Sequence, residues 1–295
     1  MEAYTLLGYP TASFDAMEFK FYRRDRSHSL WVLALTSSVV LASCGDANRT
    51  DDLPTEVTVQ FSAVVGDKSF KCGEMYDELG TNAAALAFTD LRLYVHDIRL
   101  VDSSGAEYTV ELTDDGVWQQ AGVALLDFED GCGNGTSQLN GTVTGQVRQV
   151  DYQSIRFKVG VPEALNSPTT VLENRGSPLN QSSMFWSWRS GYKFVRLDSA
   201  SSFFRFHLGA VGCDDDFSCS EPNIPEFEVL GYSAANDVIL LDVRTLLGDT
   251  DLTMNTEGTA PGCMGESSDP DCSGLFDHFG LGSSDSESAF RLESR

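Results

Sequence analysis

The chain has 295 residues and a formal net charge of −24, with 22% of its residues charged and 41% hydrophobic. This balance is typical of a folded protein with one large domain or two ordinary ones, and it excludes a disordered or fibrous chain. The negative charge excludes a bare nucleic-acid-binding surface and direct docking of the folded part on anionic lipid, because both need clustered lysine and arginine.

The N-terminal region has the pattern of an export signal. Residues 20–26 are mostly basic, and residues 30–42 are apolar or small over a length too short for a membrane span. This run ends in the sequence Leu-Ala-Ser-Cys, which has the form of a lipobox, so we expect cleavage and lipid attachment at Cys44. Translation from Met17 would give a signal of ordinary length.

Cleavage before Cys44 divides the chain into four parts. The signal peptide covers residues 1–43, a polar tether covers 44–56, a β domain covers 57–282, and a flexible tail rich in serine and acidic residues covers 283–295. A glycine rather than an acidic residue follows Cys44, which favours an exported outer-membrane lipoprotein facing the periplasm or the cell surface. Membrane contact is then expected through the lipid anchor only.

Short strand patterns follow one another along the mature chain, and long amphipathic helical patterns do not occur. Clusters of glycine, serine, asparagine and aspartate separate the strand patterns. These features predict an all-β fold, either a β-sandwich or a Greek-key barrel. The predicted strands are 56–65, 89–101, 107–113, 141–150, 154–161, 192–198, 202–208, 226–232 and 238–243, with helical turns at 81–88 and 243–248.

Six cysteines remain in the mature chain once Cys44 is assigned to the lipid anchor. An even number in an exported protein predicts disulfides, which here would hold long loops. A zinc site is the alternative, but the sequence has no C-x-x-C motif and export favours oxidation. The spacing favours the pairs Cys72–Cys132, Cys213–Cys219 and Cys263–Cys272.

Few residues of the mature chain are suited to bind a metal or a ligand. His96 and His207 lie in predicted strands beside aromatic residues, and imidazole is a ligand for copper, zinc, iron or nickel. A purely structural role for each histidine stays open. Trp186 and Trp188 share one face if their segment is extended, which suits either core packing or a stacking platform for a carbohydrate.

Two acidic groups could hold calcium through oxygen ligands, namely Asp127 with Glu129 and Asp130, and the run from Asp214 to Asp216. Neither group has the spacing of an EF-hand, and solvated loops are the favoured interpretation. The sequence also lacks the motifs of the common serine hydrolases, zinc peptidases and nucleotide-binding proteins. With no catalytic constellation identified, we expect a binding protein rather than an enzyme.

A series of short blocks resembles one known family, the MbnP-like proteins, also called the metallo-mystery pair four-Cys motif family. The blocks W-x-W-x-x-G-Y-K-F and F-H-L-G are the most specific, and the resemblance runs from about Val57 to Leu281. In chain order the blocks are Leu125-Leu126-Asp127-Phe128, Gly160-Val161-Pro162 with Leu165-Asn166, Pro178-Leu179-Asn180, Met184-Phe185-Trp186-Ser187-Trp188 with Gly191-Tyr192-Lys193-Phe194, and Phe206-His207-Leu208-Gly209, followed by Cys213, Cys219, Cys263 and Cys272.

Members of that family are exported copper-binding proteins encoded beside a MauG-like di-haem partner, which oxidises a tryptophan of the copper protein to kynurenine. The resemblance therefore implies copper, as Cu(I), bound by His96 and His207 with help from a kynurenine at Trp186. Trp188 is the alternative modified residue, and Trp118 is a candidate outside the motif.

One departure from the family and one alternative function stay open. The family often has a histidine directly after Asn166, where this chain continues Ser-Pro-Thr, so a site that used that position would differ here. The alternative function is a carbohydrate- or partner-binding β-sandwich lipoprotein that uses Trp186 and Trp188 as its platform.

Overall fold

The structure, a computed structural model, describes most of the chain after residue 52. The described residues are 53–132, 135–149, 151–166, 174–186, 191–201, 204–214, 218–283 and 285–295. The predicted signal peptide, the lipidation site at Cys44, most of the tether and Trp188 lie outside these ranges. Over the described ranges, no helix is both long and apolar enough to span a membrane.

Short strands make up most of the described structure, which confirms the predicted all-β class. The helices are α1 (Val243–Leu246) and α2 (Ser273–His278), with 3-10 turns at Glu163–Leu165, Ser182–Met184 and Pro270–Cys272. The strands are β1 (Pro54–Val65), β2 (Lys68–Ser69), β3 (Met75–Leu79), β4 (Ala84–Asp102), β5 (Glu107–Thr109), β6 (Glu111–Leu112), β7 (Gln119–Gln120), β8 (Val123–Asp127), β9 (Thr142–Arg148), β10 (Tyr152–Val159), β11 (Phe185–Trp186), β12 (Gly191–Tyr192), β13 (Val195–Ser199), β14 (Arg205–Leu208), β15 (Val211–Cys213), β16 (Cys219–Glu221), β17 (Glu226–Leu230), β18 (Asp237–Asp242) and β19 (Phe290–Ser294).

Two sheets form a sandwich around one main core. The smaller sheet has the order β19-β18-β1-β9-β6, with β2 paired to β1. The larger sheet has the order β14-β13-β4-β10-β17, and β3, β5 and β8 also pair with β4 while β7 pairs with β8. Apolar residues from the inner faces of both sheets, such as Phe61 of β1 and Phe157 of β10, pack together in this core.

Strand β4 organises the larger sheet. It is 19 residues long, and five other strands pair with it. Because β8 and β13 both pair with Arg92, they lie on opposite edges of β4. Leu91, Leu93 and Val95 point into the main core, and the even-numbered residues 90–96 point to the outer face, where they are buried as well.

A second apolar cluster covers this outer face around Tyr94. The Tyr94 hydroxyl donates to the carbonyl of Pro178 at 2.9 Å, and its ring meets the Tyr192 ring edge-on at 5.7 Å. The segments that contain Pro178 and Tyr192 therefore form a third layer over the sheet. The buried members of the cluster are Tyr94, Val123, Leu125, Val161, Leu179, Met184, Tyr192 and Phe194.

The three predicted disulfides are confirmed. Cys72–Cys132 joins the segment before β3 to the loop after β8. Cys213–Cys219 closes the hairpin of β15 and β16, and Cys263–Cys272 joins the segment beside β14 to the turn before α2. The pairs are those that the spacing of the cysteines predicted: one bridge spans a long loop, and two close short segments.

Two local predictions differ from the structure. Within the helical turn predicted at 81–88, residues 84–88 instead begin β4, because their backbone pairs with β3 and Leu86 and Phe88 pack in the core. The C-terminal tail, predicted to be flexible, ends in β19, which runs antiparallel to β18. Phe290 explains this result, since its ring lies 5.1 Å from that of Phe157 and 4.5 Å from that of Phe227.

We expect Phe290→Ala to lower the free energy of unfolding by about 3 to 5 kcal/mol, because it leaves a cavity among buried aromatic rings. Urea denaturation measures the change. Leu230→Ala is the matched control, since Leu230 is 73% exposed, and its effect should stay within about 0.5 kcal/mol. Equal effects of the two substitutions would mean that β19 is not part of the core.

Candidate functional site

Both candidate histidines lie on the outer face of the larger sheet and are buried. His96 is on β4, and His207 is on β14, with β13 between the two strands. Each imidazole is held through one ring nitrogen by a protein oxygen. This leaves the other nitrogen to bind a metal, which is the usual arrangement of a metal-binding histidine.

His96 is held by the backbone. Its Nδ1–H donates to the carbonyl of Gly160 at 2.9 Å, and no described residue bonds to its Nε2. Burial lowers the pKa of His96, and the hydrogen bond to Gly160 opposes this only in part, so the imidazole is neutral at pH 7. The nearest charged side chains, Asp97 and Lys158, pair with each other at 2.8 Å. The surroundings of His96 are therefore close to electrically neutral.

His207 is held by a carboxylate. Its Nε2–H donates to Asp198 Oδ1 at 2.6 Å, and Arg196 donates to the other oxygen of Asp198 at 2.7 Å. Burial lowers the pKa of His207, while Asp198 acts in the opposite direction. Burial alone would raise the pKa of Asp198, but the hydrogen bond from His207 and the charge of Arg196 hold it well below its usual range.

Positive charges surround His207. Arg196 also approaches Asp90 at 3.2 Å, and Asp90 accepts a hydrogen bond from Arg92, the next residue of β4 on the same face. Burial, assisted by the charge of Arg196, lowers the pKa of Lys193 to about 8, so this side chain is still mainly charged at pH 7. Three cations and two carboxylates thus share this part of the outer face.

The strand pairing does not bring the two histidines together. His207 pairs with Arg196, which pairs with Arg92, and His96 follows Arg92 by four residues along β4. Two strand spacings and four residue steps place the two histidine Cα atoms roughly 16 Å apart. Tyr94 lies between them on the same face, and it is fully buried. One ion bound to both imidazoles does not fit this arrangement.

The two candidate tryptophans among the described residues, Trp186 and Trp118, lie on opposite sides of β4. A Cβ added to Gly209, two residues after His207, would lie only 2.4 Å from Cζ3 of Trp186. Trp186 therefore packs beside His207, and this close approach requires a glycine. Trp118, the candidate outside the motif, lies on the other side of β4, because its carbonyl accepts from Leu125, the pairing partner of Tyr94.

Gln120 lies in the row of His96, and Trp118 lies in the row of Tyr94. Gln120 pairs with Val123, and Val123 pairs with His96, so the three side chains share one row of the outer face. The strand geometry puts the Cα of His96 roughly 10 Å from that of Gln120 and roughly 12 Å from that of Trp118.

The remaining predicted sites have mixed outcomes. Trp186 is only 3% exposed, so it does not offer a stacking platform, and Trp188 lies outside the described residues. Asp130 and Asp214 are exposed, as expected for solvated loops. That prediction is wrong for Asp127 and Glu129, which are buried, because the chain after β8 turns back against β4.

Sequence analysis missed the role of Asp198, which holds His207. Asp198 faces this histidine only through strand pairing and lies in no recognisable motif. Among the described residues, the only three His, Cys, Asp or Glu side chains with ligand atoms within 4.8 Å of one another are Cys72, Asp130 and Cys132. The two cysteines of that group already form a disulfide, so they provide no thiolate ligand.

Comparison with known proteins connects this geometry to a family. The family model described as MbnP matches residues 54–265, a range that includes His96, Trp118 and His207. Among solved structures, MbnP from Methylosinus trichosporium is similar, with 27% sequence identity and a TM-score of 0.71 over 82% of this chain and 99% of that chain. No curated protein matches the sequence significantly.

We expect Asp198→Asn to lower the pKa of His207 further, because the substitution removes the negative charge that opposes the effect of burial. Titration of the imidazole resonances by NMR measures this change. The pKa of His96 should not move, since its carbonyl partner is untouched. An unchanged or higher pKa for His207 would contradict the assigned role of Asp198.

Proposed function

The chain belongs to the MbnP family, as the resemblance predicted, and on this premise we propose that it is an exported, lipid-anchored copper-binding protein. The observation that carries the proposal is the state of His96. This imidazole is buried, neutral and oriented by Gly160, and its Nε2 has no partner among the described residues. Neutral imidazole in apolar surroundings suits Cu(I). The role of the protein would be the acquisition or handling of copper.

The surroundings favour His96 over His207 as the copper ligand. A cation beside His207 would meet the charges of Lys193 and Arg196. Beside His96 the pair Asp97–Lys158 carries no net charge, and the residues in the same row are Val123 and Gln120. The cost of placing a positive ion is therefore smaller at His96.

The same geometry favours Trp118 as the residue that is converted to kynurenine. Indole offers only an N–H donor, whereas the opened ring has an aniline nitrogen and a ketone, so a side chain without metal affinity becomes a ligand. Trp118 is half-buried on the face that His96 occupies. The alternative from the family blocks is Trp186, which packs beside His207. A MauG-like di-haem protein is the proposed oxidant.

The proposed location follows from the sequence signal and agrees with the disulfides. Three disulfides suit an oxidising compartment outside the cytoplasm. The lipobox predicts lipid attachment at Cys44, and residues 44–56 would be the tether to the outer membrane. On this proposal the copper site faces the periplasm or the exterior.

His96→Gln should remove stoichiometric copper binding, because no second imidazole lies within reach of the same ion. We expect an affinity loss of at least about a hundredfold, measured by competition with a Cu(I) chelator. His207→Gln is the matched control, because it replaces a buried histidine on the same face. Its copper affinity should stay within about threefold of the wild type.

Two results would contradict this assignment in different ways. If only His207→Gln lost copper, the site would lie beside Trp186, as the family blocks imply. If both variants and the double variant kept copper, neither histidine would be a ligand and the proposed site would be wrong.

Protein purified from its native host should show a mass change equal to one carbon lost and one oxygen gained. Peptide mapping should place the change at Trp118, and protein made without the di-haem partner should be unmodified. Modification at Trp186 or Trp188 would move the copper site away from His96. An unmodified native protein that also lacks copper would contradict the proposed function.

A further inference from the structure

Two carboxylates at the end of β8 are buried without an ion-pair partner among the described residues. Asp127 is 3% exposed and Glu129 is 0% exposed. The nearest cation is Arg92, but its guanidinium bonds to both oxygens of Asp90 and, at 3.0 Å, to the hydroxyl of Ser183. Arg92 thus acts on Asp127 and Glu129 only through space.

The hydrogen bonds of the two carboxylates are incomplete. Asp127 Oδ1 accepts from the backbone N–H of Glu129 at 3.0 Å, and Glu129 Oε2 accepts from that of Gly131 at 3.0 Å. Glu129 Oε1 is fully buried, and no described residue bonds to it. An ionised carboxylate oxygen in that state is costly, so it requires either a proton or a cation.

The charge of the surrounding layer favours a cation. The outer face around Arg92 has four buried carboxylates, Asp90, Asp127, Glu129 and Asp198, against three cations, Arg92, Arg196 and Lys193. This group is therefore short of one positive charge. Burial, assisted by the charges of Glu129 and Asp90, raises the pKa of Asp127 to about 7 although Arg92 acts in the opposite direction, which shows the cost of leaving its charge uncompensated.

We propose that Asp127 and Glu129 bind a calcium ion. The carboxylates of Asp127 and Glu129 would hold the ion, with backbone carbonyls or water as further ligands. Calcium fits because the available ligands are all oxygen and because it accepts irregular coordination. Cu(I) prefers sulfur or imidazole, so this site is separate from the copper site at His96.

The position of the site indicates what the ion does. The N–H of Phe128, between the two carboxylates, donates to the carbonyl of Leu91 on β4 at 2.9 Å, and Cys132 anchors the same loop to Cys72. A bound ion would fasten this loop to the central strand from the inside. It would therefore stabilise the fold without touching copper.

The test is thermal unfolding of copper-free, chelator-washed mature protein with and without about 1 mM CaCl2. This concentration is near the dissociation constants of extracellular calcium sites. We expect calcium to raise the Tm of the wild type by several degrees. Glu129→Gln and Asp127→Asn keep the side-chain shape but remove one charge each, and both should weaken the response at least tenfold in calcium concentration. Asp130→Asn, an exposed carboxylate of the same loop, is the control and should respond like the wild type.

Three results would overturn the proposal. One is a wild-type Tm that does not depend on calcium, and another is an equal calcium response in Glu129→Gln, Asp127→Asn and the wild type. The third is a Glu129→Gln protein that is more stable than the wild type while neither responds to calcium, which would assign a proton to Glu129. Copper binding should be unaffected in every variant, so the outcome is independent of the proposed copper function.

Discussion

The structure depends on the burial of strand β4 on both of its faces. One face packs in the core between the sheets, and the other lies under the layer that contains Pro178 and Tyr192. Yet the outer face of this strand carries Asp90, Arg92 and His96, which are polar. A buried polar side chain must find a partner or a ligand. The sandwich thereby places its reactive groups under a cover rather than on an exposed surface.

The position along β4 determines how each buried polar group is compensated. At one end, Asp90 and Arg92 satisfy each other, and they extend through Arg196 to Asp198 in a network of ion pairs. At the other end His96 has one carbonyl partner, and its second ring nitrogen has none among the described residues, in nearly neutral surroundings. The first end compensates its charges internally, and the second is where we propose that a soft metal ion binds. Tyr94, between the two, separates these environments with a packed apolar cluster.

Periodicity and cysteine spacing were enough to predict the all-β class and the three disulfides, because both signals are local or depend on chain context alone. Strand pairing is not local, and it determines which residues of the site meet. The pairing of β14 with β13 separates His207 from His96, and the pairing of β7 with β8 puts Trp118 on the opposite side of β4 from His207. Composition also failed at Glu129, since an acidic stretch normally indicates solvent, and here the loop folds back against β4.

The central claim is that copper binds on the outer face of β4 at His96, on the far side of Tyr94 from His207. The most direct measurement is a crystal structure of the copper-loaded native protein, with anomalous difference maps recorded on both sides of the copper absorption edge. The account predicts one anomalous peak within bonding distance of His96 Nε2, with Trp118 or its oxidised form beside it. A peak at Nδ1 of His207 beside Trp186, or no ordered copper on this face, would contradict the account.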